Sequence, residues 1–404
     1  MDIIHGISSL IPRSIVIRVK YFKQYLYRKK TGRFLIETNY KYRKISKPKT
    51  HVFFGYYDIS PFNEMTDEII YNNLVVKENK LHLMKSSLST NEEIEIAETR
   101  AWNWQQGCRL RWMPNNNREI VFNDFDGKGY LARIVNVDSG AERKIIAPLY
   151  DISPDGNYGI TIDFERLGIK RPGYGYVCRP YNEDEHDLKN EKIELIDLRL
   201  NTRETILTYE QISQLQGCHT AEFKDNYINH IAFSPSGKKI LFFWLTVGKD
   251  LHKAYLLVHN FETKETKLLE NREKVSHYVW QDENHIICTA IDDMIKSHYY
   301  RYNVCTGMRE TLSPDILKRD GHPSIFSEDI LLTDTYPDLD GYQNLYLVNI
   351  KNSVKTQVLS IYSNCMVEGE KRTDLHPRLN HDNTIICYDA NVGKYRELFF
   401  VNLK

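Results

Sequence analysis

A chain of 404 residues, 41 % of them hydrophobic, can bury a sizeable core, either as two or three domains or as one large β architecture. Its 54 basic and 54 acidic side chains cancel, yet residues 1–50 hold thirteen Lys/Arg against Asp2 and Glu37, a balance of +11 that leaves −11 on the rest and argues against a nucleic-acid groove. The seven cysteines are an odd number without a CxxC pair, and Cys288 and Cys387 lie inside apolar runs, a pattern of reduced core thiols rather than a disulfide framework or zinc knuckle.

The N-terminus has no basic segment leading into an apolar run with a small-residue cleavage site, and no apolar run reaches the ~18 residues of a spanning helix. Neither Sec export nor a transmembrane span is expected, and the expected location is cytoplasmic. Residues 7–30 place Ile15, Val19, Phe22 and Leu26 on one side of a helix, with Arg18, Lys20, Lys23 and Arg28 to Lys30 around them. Such a helix either lies in the headgroup region of an anionic leaflet, making residues 1–32 a peripheral attachment to the inner membrane face, or packs on the domain with its charges in water.

From His51 onward helical periodicity gives way to a polar turn followed by an apolar, β-rich run. The unit recurs seven times, over residues 60–73, 113–124, 153–163, 234–244, 281–290, 327–335 and 380–390. Alternating strand pairs follow, as in 130–146, 192–207, 254–269, 300–312 and 345–359. Four short strands per unit, at roughly 40 to 55 residues, are the signature of propeller blades. The sequence therefore predicts an all-β fold, a seven-bladed β-propeller over 51–404 with a basic N-terminal helical extension over 1–50. The last unit stops one strand short, so a segment within Arg33 to Lys44 is expected to close the ring. The long spacing from Pro154 to Pro235 marks Phe164 to Asn190 and Thr208 to Asn226 as insertions in the third blade.

The innermost strand of each blade begins beside the central channel, so residues a few positions ahead of successive turns converge on one mouth. These are Tyr56, Tyr57 and Asp58; Trp104, Gln105 and Gln106; Tyr150; Asn229 and His230; His277; His322; and His376. Four consecutive blades thus each supply a histidine. Gathered imidazoles bind a transition metal or act as a base near neutral pH, although each histidine can instead cap a strand. Trp102 and Trp104 alternate, so one of them is expected to face the channel or a ligand. Aromatic faces stack on sugar rings, and adjacent amides such as Gln105 and Gln106 bind hydroxyls. Arg166, Arg171 and Tyr174 lie in the long insertion, where an arginine can clamp a carboxylate. There is no Walker loop, no GxGxxG after a strand, no GxSxG elbow and no α/β C-terminal half, so nucleotide and peptidase chemistry lose support.

The strings GYYDISPFN (55–63), AWNWQQG (101–107), RPGYGY (171–176), NHIAFSPSG (229–237), DGHPS (320–324), LLTDTYPD (331–338) and DLHPR (374–378) resemble the seven-bladed propeller proteins related to oligogalacturonate and ulvan lyases, across nearly all of 51–404. The resemblance implies a carbon–oxygen lyase that cleaves a uronic-acid-containing oligo- or polysaccharide by β-elimination at the channel mouth. It implies His230 and Tyr174 as base and acid and Arg166 as the group that neutralises the carboxylate. Tyr57, Trp104, Gln105, Gln106 and Asn229 would contact the substrate. His277, His322 and His376 would hold a divalent metal such as Mn, Zn or Ca, since oligogalacturonate lyases hold manganese through several histidines and a glutamine. The alternative is a non-catalytic glycan-binding or scaffold propeller in cell-surface polysaccharide biosynthesis at the cytoplasmic membrane face.

Overall fold

The computed structural model describes residues 12–182, 191–218, 226–247, 252–271, 275–292, 294 and 296–404. The repeated turn-and-strand unit folds into seven antiparallel sheets in a ring, a seven-bladed β-propeller. Blade one runs from Thr50–Phe53 to Glu93–Thr99, blade two from Arg111–Met113 to Glu142–Ile145, and blade three from Asp151–Ile152 to Thr202–Thr208. Blade four spans Tyr227–Phe233 to Thr266–Glu270, blade five Val275–Trp280 to Arg309–Leu312, and blade six Ser324–Ser327 to Val354–Tyr362.

Blade seven holds three strands from the end of the chain, Arg378–Leu379, Ile385–Ala390 and Glu397–Asn402, and takes its outermost strand, Lys41–Ile45, from the beginning. Tyr42 faces Val401 and Lys44 faces Phe399 in this pairing. The closing segment does more than the sequence suggests. Ile36–Glu37 adds a fifth strand to blade six, opposite Ile361 and Ser360, so the N-terminal stretch clasps two blades in succession. Thr38 makes the step between them, its Oγ1 donating to the Val358 carbonyl at 2.7 Å and accepting from Tyr40 N at 3.1 Å.

The apolar alternation of the strands is satisfied between blades, where Leu, Ile, Val and aromatic side chains of adjacent sheets interdigitate. All seven cysteines are free thiols, four of them buried. Of the two insertions in blade three, the parts at 183–190 and 219–225 lie outside the described residues. Within the first, Asp163 caps a helix at Phe164–Lys170 by accepting from Glu165 N and Arg166 N, both at 2.8 Å. A longer helix, Arg13–Thr31, precedes the closing strands, and residues 1–11 of the expected amphipathic segment lie outside the described residues. Among the described residues no helix is long and apolar enough to cross a membrane.

Candidate functional site

The centre of the ring is filled from blade one by the run Gly55-Tyr56-Tyr57. Gly55 has φ +133°, and a Cβ there would meet the backbone of Gln106 at 2.9 Å, so the chain enters the channel only as glycine. A buried pair from blade seven holds this entry. Arg378 and Asp389 meet at 2.9 Å, Arg378 Nε donates to the Tyr56 carbonyl at 3.1 Å, and Asp389 accepts from Phe54 N at 2.9 Å and Gly55 N at 3.2 Å. Tyr57 then reaches blade five, its hydroxyl donating to the Tyr278 carbonyl at 2.8 Å and accepting from Tyr278 N at 2.9 Å. Tyr56 reaches blade four, its ring stacked on His230 at 4.7 Å with its hydroxyl 3.0 Å from Nε2.

Two cavities flank this region. One of about 850 Å³ lies beside the polar turns and is lined by Asp58, Trp112, Asp151, Ser234, Trp280 and Ser324. The other, about 350 Å³, is lined by His230, His277, Asp320, Tyr174, Tyr336 and three cationic residues, Arg171, Lys253 and Arg372. The larger space is lined by none of the four register histidines, and the smaller by two of them, His230 and His277.

The four histidines expected in register do converge. Ring centroids of His277 and His322 are 4.0 Å apart, those of His322 and His376 4.4 Å, and those of His230 and His277 6.0 Å. In blades four and five the innermost strand slips register at the histidine, between Asn229 and Ala232 and between Val275 and Tyr278. Such bulges re-aim side chains. His230 and His376 also sit at positive φ, +51° and +47°, conformations that cost a non-glycine residue energy and persist only where the surroundings impose them.

Three of the four are oriented through Nδ1. His277 Nδ1 lies 3.1 Å from Asp320, His322 Nδ1 2.9 Å from both oxygens of Asp334, and His376 Nδ1 donates to the Gly55 carbonyl at 2.9 Å. Asp334 also accepts from the backbone of both His-Pro motifs, from His322 N at 2.8 Å and His376 N at 3.1 Å, so one carboxylate registers blade six against blade seven. The Nε2 atoms of His322 and His376 are left buried with no partner. One ring nitrogen of each and a carboxylate oxygen of Asp374 all lie within 4.8 Å of one another.

A carboxylate or carbonyl behind Nδ1 with a free Nε2 ahead is how metal-ligating histidines are held, so these residues fit a divalent cation. His277, expected as a ligand, lies outside this converging group and faces the cavity. Asp374, which the sequence reading did not single out, belongs to it. Its signal was the acid two positions ahead of His376 in DLHPR.

Burial pushes His230 and His376 well below the ordinary imidazole range, helped by neighbouring histidines and arginines, and both are neutral at pH 7. Burial and His322 also lower His277. Burial alone would lower His322 too, but Asp334 outweighs it and the net direction is upward. Asp320 is held well below the carboxylate range because His277 and the Thr289 hydroxyl, donating at 2.6 Å, outweigh the opposing effect of burial.

The remaining expected residues divide. Tyr174 lies at the cavity with its ring 6.0 Å from His230, and its hydroxyl accepts from Arg372 Nη2 at 2.9 Å. Asn229 lines the same cavity, its Oδ1 accepting from the Tyr150 hydroxyl at 2.9 Å and from Gln106 Nε2 at 3.3 Å. Tyr57 touches the histidine rings but spends its hydroxyl on Tyr278. Gln106 is buried, donating to Tyr150 at 2.6 Å. Gln105 is buried as well, donating to the carbonyls of Glu370 at 2.8 Å and Arg372 at 3.0 Å, which positions the loop that carries Arg372.

Trp104 is absent from the cavity lining. It packs between His51, Phe53 and Trp102 with the Arg396 guanidinium 5.2 Å from its ring. Arg166 is also turned away: it is buried, donates to the Asn226 carbonyl at 2.7 Å and lies 3.8 Å from Glu191. The cations that do reach the cavity are Arg171, from the same insertion, and Arg372 and Lys253, which the register argument did not reach.

No family model and no curated protein matches the sequence. Solved structures match the fold. An oligogalacturonate lyase in complex with manganese superposes with a TM-score of 0.66 at 14 % identity, covering 91 % of this chain and 94 % of that one. The oligogalacturonate lyase of Vibrio parahaemolyticus gives 0.64 at 12 % identity, covering 91 % and 98 %. Tricorn protease gives 0.54 at 11 % identity and covers 89 % of this chain, which matches only 34 % of that protein. At these identities the likeness establishes the propeller fold.

Proposed function

We propose that the protein is a propeller lyase that cleaves a uronate-containing glycan by β-elimination in the cavity beside the histidines. The observation that carries this reading is a cavity lined by a neutral His230, His277, Tyr174 and two arginines, with the His277 ring 4.0 Å from that of His322 in the buried donor group His322, His376 and Asp374. Elimination next to a carboxylate needs that set: charge neutralisation at the carboxylate, a base for the C5 proton and an acid for the leaving oxygen.

Arg171 and Arg372 take the neutralising role assigned to Arg166 on sequence grounds, since they line the cavity and Arg166 does not. His230, in contact with the Tyr56 hydroxyl, accepts the C5 proton. The C–H electron pair becomes the C4=C5 double bond, the C4–O pair departs with the oxygen, and Tyr174, whose oxygen accepts from Arg372, gives that oxygen its proton. His322, His376 and Asp374 would hold a divalent cation that, when bound, draws charge from the uronate carboxylate and acidifies the adjacent C–H. Their mixed imidazole and carboxylate character suits Mn or Zn better than Ca, and the manganese of the oligogalacturonate lyase structure supports the same choice.

The test is spectroscopic. Protein supplied with Mn is mixed with acidic glycans including galacturonan, ulvan and bacterial capsular polymers, and the ultraviolet absorbance of an unsaturated uronate is followed. A rise with one polymer that falls at least ~100-fold in His230→Ala is expected. A flat trace for the wild type across the panel overturns the reading, and glycan binding without turnover would make the protein a binding propeller instead.

A further inference from the structure

The helix Arg13–Thr31 is fastened to the propeller by one edge and shows its apolar edge to solvent. Gln24 is its only buried residue: Nε2 donates to the Leu339 carbonyl and Oε1 accepts from the Tyr362 hydroxyl, each at 3.2 Å. The Arg28 guanidinium covers the Tyr362 ring at 3.7 Å, and Arg13 pairs with Glu368 at 3.0 Å. At about 100° per residue, Ile15, Phe22, Leu26 and Val19 fall within about 40° of the direction opposite Gln24. They point away from the protein, and each is between 49 % and 58 % exposed. Arg18 and Lys29 flank this stripe on one side, Lys23 and Lys30 on the other, and the helix has seven basic and no acidic residues.

The attachment points also place the helix relative to the cavity. Leu339 and Gly341 belong to the loop that carries Tyr336 to the cavity, and Glu368 to the loop that carries Arg372, Asp374 and His376. The helix and the cavity mouth therefore share two loops and one face of the propeller.

We infer that this helix seats the protein on an anionic bilayer, with its apolar stripe among the headgroups, and that the histidine cavity faces the same surface. The observations favour a bilayer over another occupant because the apolar stripe is bordered by cations on both sides, the complement of anionic headgroups above an acyl boundary. It follows, resting on the proposed chemistry, that the glycan is presented at the membrane surface rather than drawn from bulk solution.

The test uses the full chain and vesicles without saccharide, so its outcome is independent of turnover. Co-sedimentation with phosphatidylcholine vesicles is compared with vesicles containing anionic phosphatidylglycerol, at low and high salt. Binding to the anionic vesicles alone, weakened by salt, is expected. At least a ten-fold loss is expected in the double variant Phe22→Asp/Leu26→Asp, and a smaller loss in Lys23→Glu/Lys30→Glu. Both variants replace exposed side chains and should melt as the wild type does.

Hydrogen exchange on the vesicle-bound protein should show new protection along the helix and at 335–341 and none at the opposite-face turn 63–67. Wild type that stays in the supernatant with both vesicles overturns the inference, as does undiminished binding of the apolar double variant. Protection at 63–67 overturns the orientation. Concentration-dependent self-association of the wild type that disappears in Phe22→Asp/Leu26→Asp, without vesicle binding, would assign the stripe to a second copy of the chain and equally overturn it.

Discussion

At the scale of single residues, the site depends on a few buried charges that are held by others. Asp389 is the partner of Arg378 and the acceptor for two backbone N–H groups at the entry of the central tyrosines. Replacing it by alanine leaves a buried guanidinium unpaired, which costs ~3–5 kcal/mol in comparable buried pairs. Chemical denaturation of Asp389→Ala should show a loss of that order. The histidines predict differently from one another. His322→Ala and His376→Ala should each abolish stoichiometric Mn or Zn in elemental analysis of the purified protein, whereas His277→Ala, which removes a cavity residue outside the converging donor group, should retain the metal. Retention by all three variants would mean that the unpartnered Nε2 atoms serve some other ligand.

At the scale of elements, the propeller was legible because each blade repeats a local rule, a polar turn followed by an alternating run, and local rules survive in one sequence. The histidine register followed from that repeat, since a blade fixes where its innermost strand begins. What could not be read were residues whose local conformation departs from the assumed one. Alternation of Trp102 and Trp104 would bring one of them to the channel, but Asn103 Oδ1 accepts from Gln105 N at 3.1 Å and Gln106 N at 2.7 Å, and the resulting turn buries both glutamines and sends Trp104 toward His51. Arg166 lies in the long insertion of blade three, where an arginine was expected to reach a ligand carboxylate. The Asp163 cap instead starts a helix there, and its close packing, in which a Cβ on Gly175 would lie 2.1 Å from Gly168 N, turns Arg166 inward.

The closing strand was expected somewhere within Arg33 to Lys44, yet its division between two blades depends on the Thr38 step, which no periodicity marks. This division makes a prediction. Deleting residues 1–32 removes the helix and leaves the clasp, so thermal stability should change little. Deleting 1–45 exposes the edge of Glu397–Asn402 and the edge of blade six, and should lower Tm steeply and promote aggregation. Equal melting of the two truncations would show that the ring closes without the clasp.

At the scale of the whole molecule, the seam between blade seven and blade one is where the chain ends meet the chain beginning, and a histidine sits on it. His51 Nδ1 accepts from Arg396 N at 3.1 Å, and burial, with Arg396, Lys371 and Lys394 nearby, pulls its pKa from 6.5 down to about 4. His259, within blade four, is pulled to about 4 as well, by burial and Lys264. A folded-state pKa below the unfolded value means that the unfolded chain binds more protons between pH 6.5 and about 4. Stability from these groups is therefore fully present above pH 6.5 and is lost as pH falls through that window. Protonating His51 also removes the acceptor for Arg396 N, so acid acts directly on the closure of the ring. Differential scanning calorimetry should show Tm declining from neutral pH toward about pH 5. His51→Asn, whose Oδ1 can accept the same hydrogen bond without titrating, should flatten that decline while leaving Tm at neutral pH close to wild type. A variant with the full acid sensitivity of the wild type would place the proton uptake elsewhere than the seam.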